Sequence, residues 1–235
     1  MDLSKGINIM FRGVEGSPAQ YAVERFVEVL RTKGVSCRYI HHYSEADTAP
    51  ILVIGTPRDR RIQLLLEQKG LDYGRRESVF YQWCQVYGRQ ILLIAGSDTN
   101  GLMYALLELV ERIEDMGAEA LGFVEDTVEH PENAVRCMDR YLLGPLDDEW
   151  FKSDSFWNFF LDRLARGRYN RFCLIMGYDT PYMSPPYPYF VPVDGYAQVV
   201  VKGMTDAARD ENLRLLRKIG ELCHQHGQEF FLATW

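Results

Sequence analysis

The sequence predicts an α/β chain in two parts. Residues 1–122 read as an α+β domain built on a mixed sheet. Residues 134–235 read as an incomplete (β/α)8-type barrel of about three βα units. Two observations lead there. The first half mixes capped helices with strands, including a hairpin that requires antiparallel pairing. The second half alternates uniformly apolar strand-length runs with amphipathic helices, the pattern of a parallel sheet buried on both faces.

In order, Gly6 to Phe11 reads as a short strand. Ser17 then offers an N-cap, Pro18 fits the first helical position, and Gln20 completes a capping box. Ala22, Phe26, Val29 and Leu30 mark the inner face of that helix, and Gly34 ends it. Cys37 to His41 and Ile51 to Ile54 read as strands, followed by a helix over Arg60 to Gln68 that Gly70 stops. Val79 to Val86 and Gln90 to Ala95 form a hairpin about Tyr87-Gly88. Leu102, Leu106, Leu109, Val110 and Ile113 then repeat at helical spacing up to Gly117.

The link GSDTNG joins a strand to a helix, where phosphates are often held. Gly96 and Gly101 match the glycine spacing of a phosphate-binding loop. Leu102 and Met103, however, stand where that loop needs Lys and Ser or Thr. A tight turn with Asp98 or Thr99 capping the helix is expected instead.

Gly122 to Asn133 is acidic and irregular, and reads as a linker. Ala134 to Met138 follows as a strand. Ser153 or Asp154 caps a helix with Phe156, Phe160 and Leu164 on its apolar side. Phe172 to Met176 is a second strand. Asp206 to His226 is a helix with Leu213, Leu216, Ile219 and Cys223 facing inward, and Phe230 to Thr234 is a third, buried strand. A full barrel takes about 250 residues. The expectation is therefore a truncated chain, or alternatively a small complete α/β domain ending at a sheet edge.

Function in parallel barrels gathers where strands end. Here those places are Asp139-Arg140 after the first strand, Tyr178-Asp179 after the second, and Trp235 after the third. Carboxylate, guanidinium and aromatic rings together suit a sugar, whose hydroxyls need paired donors and acceptors and whose ring stacks on aromatic faces. The loop TPYMSPPYPYFVPVDGY adds Tyr187 and Tyr189 on a proline-stiffened segment. The alternatives are a self-packed surface loop and, for Asp139-Arg140, a structural ion pair.

Composition narrows the function classes. Net charge is −7 with no Lys/Arg-rich patch, which argues against nucleic acid as a partner. No apolar run is long enough to span a membrane, and the N-terminus is too polar for a secretory signal, so the default location is cytoplasmic. Cys37, Cys84, Cys137, Cys173 and Cys223 are scattered and read as free buried thiols. His224 and His226 do not share a helix face, and His41-His42 point to opposite sides of a strand, so no metal site is expected. A flavin or nicotinamide fingerprint is lacking, and no cofactor is expected.

YGRQILLIAGSDTNGLMYALLELVERI resembles the hairpin-and-helix end of the small N-terminal domain of family 20 β-hexosaminidases and family 67 α-glucuronidases. AVRCMDRYLLGP resembles the first barrel strand of these enzymes, and SFWNFFLDRLARGRYNRFCLIMGY their first helix and second strand. The resemblance implies a glycoside hydrolase in which an α+β domain precedes a (β/α)8 barrel. It implies a glycan substrate bearing hexosaminide or uronic acid, and places Arg140 nearest the sugar-binding arginine. It puts the catalytic carboxylates beyond the third strand, so that no residue here takes their role and the chain alone is expected to be inactive. A self-contained carbohydrate- or protein-binding module is the rival. A homo-oligomer covering the open half-barrel is a further expectation.

Overall fold

The computed structural model describes residues 2–144, 146–178 and 181–234. The chain divides into two compact units, Met1–Ala134 and Val135–Trp235.

The first unit is a six-stranded mixed sheet between helices. Strand β1 (Ile7–Arg12) leads to helix α1 (Ser17–Thr32), β2 (Cys37–Tyr39), β3 (Ile51–Gly55) and α2 (Arg60–Gln68). The hairpin β4 (Val79–Val86) and β5 (Arg89–Gly96), helix α3 (Thr99–Met116) and strand β6 (Thr127–Glu129) complete it. The strand order is β2-β1-β3-β5-β4-β6. The first four strands in that order run parallel, and β4 is antiparallel to both β5 and β6.

Ile, Leu and Val fill the central strands because they are buried on both faces. Ile62, Leu65 and Leu66 of α2 pack with Met10, Ile51, Val53, Ile91 and Leu93 on one face. On the other face Tyr81 of β4 donates its hydroxyl to the Ala105 carbonyl of α3 at 2.7 Å. Each such buried side chain contributes roughly 1.5–3 kcal/mol by area.

Two local expectations change. Gly16, not Ser17, is the N-cap of α1. Its φ of 87° suits glycine, no side chain caps the helix end, and the Ser17 hydroxyl is buried without a partner. The capping box is therefore not formed. The segment read as a linker is pinned to the sheet. The Trp83 backbone N–H donates to Asp126 and its indole to the Val124 carbonyl, each at 2.7 Å, and β6 then pairs with β4.

The GSDTNG turn is a packing device. Asp98 caps α3 by accepting from the Gly101 N–H at 2.9 Å, and its other oxygen accepts from the Glu77 N–H at 2.9 Å. A Cβ on Gly96 would lie 1.9 Å from the Leu102 nitrogen, and one on Gly101 would lie 2.3 Å from the Ser78 carbonyl oxygen. Both glycines let α3 seat directly against the hairpin.

The second unit is a three-stranded parallel sheet, β7 (Cys137–Tyr141), β8 (Arg171–Met176) and β9 (Glu229–Thr234), in that order. Helices α4 (Asp148–Phe151) and α5 (Asp154–Arg166) connect β7 to β8. The short α6 (Pro186–Tyr189) and long α7 (Asp206–Gln225) connect β8 to β9. Ser153 and Thr205 cap α5 and α7.

Asn170 fixes where β7 begins. Its Oδ1 accepts from the Arg136 N–H at 2.9 Å, and Arg136 Nε donates to the Arg168 carbonyl at 2.6 Å. The strand therefore starts three residues later than its apolar content suggests.

The helices cover one face of this sheet. Phe172, Leu174 and Met176 of β8 pack with Trp157, Leu161 and Leu164 of α5 and with Leu215, Ile219 and Cys223 of α7. Leu164, Ile219 and Cys223 face inward as read in sequence, and Phe156, Phe160 and Leu216 lie partly buried at the edge of the same core. Trp157 replaces Phe156 as the buried ring, and Leu215 replaces Leu216.

The opposite face carries Asp139, Cys173 and Phe231 in one row, with Tyr141, Ile175 and Ala233 in the next. Among the described residues no helix of the unit packs there. Strand β9, expected to be buried, exposes 42% of Phe231 and 48% of Leu232. Cys137 is exposed, and Cys37 and Cys173 are half-buried, so only Cys84 and Cys223 are the buried thiols expected.

Replacing Gly96 by Ala should destabilise the first unit by about 2–4 kcal/mol, because backbone and not a movable side chain blocks the new methyl. Gly88→Ala in the open hairpin turn, where a Cβ meets nothing within 4 Å, should cost no more than its φ of 75° exacts. Thermal unfolding of the two variants checks the ordering.

Candidate functional site

The loops at the C-terminal ends of β7 and β8 gather into a cavity of about 480 Å³ within the second unit. Backbone bonds tie them together. The Ser184 N–H donates to the Leu142 carbonyl at 2.9 Å, and the Gly177 N–H to the Ser184 carbonyl at 3.1 Å. Ser184 Oγ accepts from the Gly144 N–H at 2.8 Å. Gly144 is needed there, since a Cβ would lie 2.6 Å from that Oγ and 3.1 Å from the Tyr189 ring. The Tyr187-Pro188 bond between these loops is cis.

Tyr189 forms one wall of the cavity. Its hydroxyl donates to Asp148 Oδ1 at 3.1 Å, and Asp148 pairs with Lys152 at 2.6 Å. Burial, reinforced by the neighbouring Asp148 carboxylate, pushes the Tyr189 phenol well above its ordinary range, so it stays protonated and acts as a donor. Asn212 of α7 is 2% exposed and donates to the Tyr189 carbonyl at 3.3 Å, while its Oδ1 is buried without a partner. Met183, Val200, Val201 and Met204 supply apolar walls. The cavity thus offers apolar surface with a few fixed polar groups, the usual composition of a small-ligand site.

Outside the cavity, Tyr178 and Tyr187 form a pair. Tyr178 donates its hydroxyl to the Tyr187 carbonyl and accepts from the Tyr187 N–H, both at 3.1 Å. This anchors the Tyr178 ring to the Tyr187 backbone, and the two rings remain 59% and 53% exposed. Exposed aromatic faces are suited to stacking against a sugar ring.

The remaining sequence candidates separate. Asp139 and Arg140 lie inside β7, not after it, so their side chains point to opposite faces of the sheet. They form no ion pair with each other. Asp139 sits on the helix-free face beside Cys173 and Phe231. Arg140 turns toward the helices, with its guanidinium 4.0 Å from the Trp150 ring centre and 5.2 Å from that of Phe156. Its Nε is buried and unpartnered. Asp179 and Trp235 lie outside the described residues.

Sequence reasoning missed Ser184, Asp148 and Asn212. Ser184 lies in the tyrosine- and proline-rich loop but is overshadowed there by the rings, Asp148 lies in a segment with no motif, and Asn212 looks like any polar residue of an amphipathic helix. Also missed is the pair on the helix-free face, where Arg171 meets Glu229 at 2.6 Å and lies over the Phe231 ring at 4.3 Å. Among the described residues no group of three or more His, Cys, Asp or Glu is placed to hold a metal ion, and no helix is long and apolar enough to cross a membrane.

No protein-family model matches the chain, and no curated protein matches it. Among solved structures, the chain is similar to one described as a GH138 enzyme targeting pectin rhamnogalacturonan II. The TM-score is 0.67 at 16% sequence identity, over 97% of this chain and 24% of that one. At this identity the likeness is one of fold. The chain shares the mixed α/β architecture of a part of a glycoside hydrolase about four times its length.

Arg140 should prove structural. Arg140→Ala removes both the cation–π contact and the packed stem, and should destabilise the second unit by about 1–2 kcal/mol. Asp139→Asn, on the open face, should leave stability within about 0.5 kcal/mol of the parent. Denaturant titration followed by tryptophan fluorescence separates the two.

Proposed function

We propose that this chain is the N-terminal portion of a carbohydrate-active glycoside hydrolase, with an α+β accessory domain (residues 1–122 as read in sequence, with β6 added to its sheet) followed by the opening units of a (β/α)8 catalytic barrel (134–235). The observation that carries this reading is the parallel sheet β7-β8-β9. Its helical crossovers all cover one face, as in a barrel wall, and leave the other for an interior. Asp139, Cys173 and Phe231 would then face the barrel axis. The fold likeness along 97% of the chain to 24% of an enzyme described as targeting pectin rhamnogalacturonan II supports the same assignment.

The substrate class we favour is a glycan bearing uronic acid or hexosaminide. Tyr178, Tyr187 and the Tyr189 cavity bind it, and Asp179 and Trp235 are further contacts. Glycoside hydrolysis usually takes two carboxyl groups facing one another across the bond. In a barrel of the kind resembled, these follow a later strand than β9. The chain alone therefore binds glycan without cleaving it.

The test is binding of the 235-residue chain to an array of acidic and neutral oligosaccharides, with hydrolysis followed in parallel. Retention of at least one glycan class and no cleavage is the expected result. Tyr187→Ala should weaken retention by about 3–10-fold through the lost stacking surface. Retention untouched by Tyr187→Ala and Tyr178→Ala would remove the tyrosine pair from the site. Cleavage by this chain would place the acid/base carboxylates within it.

A further inference from the structure

The first unit contains a second cavity, of about 840 Å³, beside helix α2. Arg12, Arg61 and Arg89 all line it, together with His41 and His42, and no Asp or Glu does. This is unusual in a chain whose net charge is −7.

None of the three guanidinium groups is neutralised by a carboxylate among the described residues. Arg89 is spent on backbone carbonyls, donating to Ala46 at 3.1 Å and also to Asp47. Arg12 donates to the His41 carbonyl, and its Nε is buried without a partner. Arg61 is exposed and its guanidinium has no ion-pair partner among the described residues. Two carboxylates close by in sequence are turned to backbone: Glu45 accepts from the His41 N–H at 2.9 Å and Asp59 from the Arg61 N–H at 2.8 Å. Some arginines elsewhere on the surface are paired, as in Arg58–Glu15 at 2.6 Å and Arg60–Glu67 at 3.0 Å; what sets this cavity apart is that three guanidinium groups without a carboxylate line one space.

Aromatic and apolar surface lies between these charges. The Tyr43 and Tyr87 rings meet edge to face at 5.8 Å, and Tyr87 is 88% exposed. Leu64 and Val86 extend that surface. A free inorganic anion would use the arginines and leave the rings idle. An anion carried on a ring uses both, since guanidinium forks bind carboxylates bidentately and tyrosine faces accept sugar rings.

We infer that this cavity of the N-terminal unit is a binding site for the carboxylate of a uronate-bearing oligosaccharide, separate from the tyrosine site of the second unit. The inference rests on the reading of the protein as carbohydrate-active for the ring, and on the uncompensated arginines for the charge.

Calorimetry of the full 235-residue chain with an oligogalacturonide, its methyl ester and inorganic phosphate tests it. The acid should bind, and the uncharged ester should bind at least about tenfold more weakly, as expected for loss of one charge-assisted contact. Arg61→Gln, on an exposed helix position, should lower affinity for the acid by a similar factor, and Tyr87→Ala should lower it further without loss of fold. Equal affinity for acid and ester, or affinity unmoved by Arg61→Gln, overturns the inference. So does phosphate binding as tightly as the oligogalacturonide. Uronate affinity that falls with Tyr187→Ala but not with Arg61→Gln moves the ligand to the other unit. That result would contradict this site while leaving the carbohydrate reading intact.

Discussion

A parallel sheet must be covered on both faces, because crossover helices and side-chain pattern make both sides apolar. The six-stranded sheet of the first unit meets this condition within itself, with α2 on one side and α3 on the other. The three-stranded sheet of the second unit meets it on one side only. On the central strand β8 the packed-face Phe172, Leu174 and Met176 are buried, while on the outer strands Tyr141 and Phe231 of the open face are exposed. Position at the sheet edge adds to the asymmetry, since Leu232 of the packed face is also 48% exposed and Ile175 at the centre of the open face is 7% exposed. The asymmetry also separates Asp139 from Arg140, since adjacent strand residues fall on the packed and unpacked faces.

Much of the fold was legible in the sequence, and the reason is local. Gly70 stops α2, whose extent over Arg60 to Gln68 is the one read in sequence, and in the structure Asp59 caps its start by accepting from the Arg61 N–H. The hairpin about Tyr87-Gly88 is equally local. Errors arose where a distant contact decides. Nothing near Ala134 in sequence says that Asn170 will fix the start of β7 at Cys137. The Ser17-to-Gln20 pattern is a valid capping box, but Gly16 adopts a positive φ and takes the cap one residue earlier.

The candidate sites were legible in kind and not in arrangement. Tyrosine and proline density after β8 marks a functional loop, yet Tyr187 ends exposed and Tyr189 buried against Asp148, two residues away. The arginine-lined cavity was invisible. Arg12, Arg61 and Arg89 belong to three different elements, and only the sheet topology makes them neighbours. Glycan recognition through aromatic rings in one unit and guanidinium groups without a carboxylate partner in the other would divide affinity between stacking and charge.

The most direct test of the central claim is thiol footprinting of the native 235-residue chain by mass spectrometry, at a concentration where it sediments as a monomer. Cys137 and Cys173 lie on the face of the sheet without helical cover, while Cys84 and Cys223 are internal standards buried in the two cores. An open barrel wall predicts that Cys137 and Cys173 are alkylated well before Cys84 and Cys223. Protection of Cys173 equal to that of Cys223 would mean that the chain covers this face by itself, and would contradict the open wall.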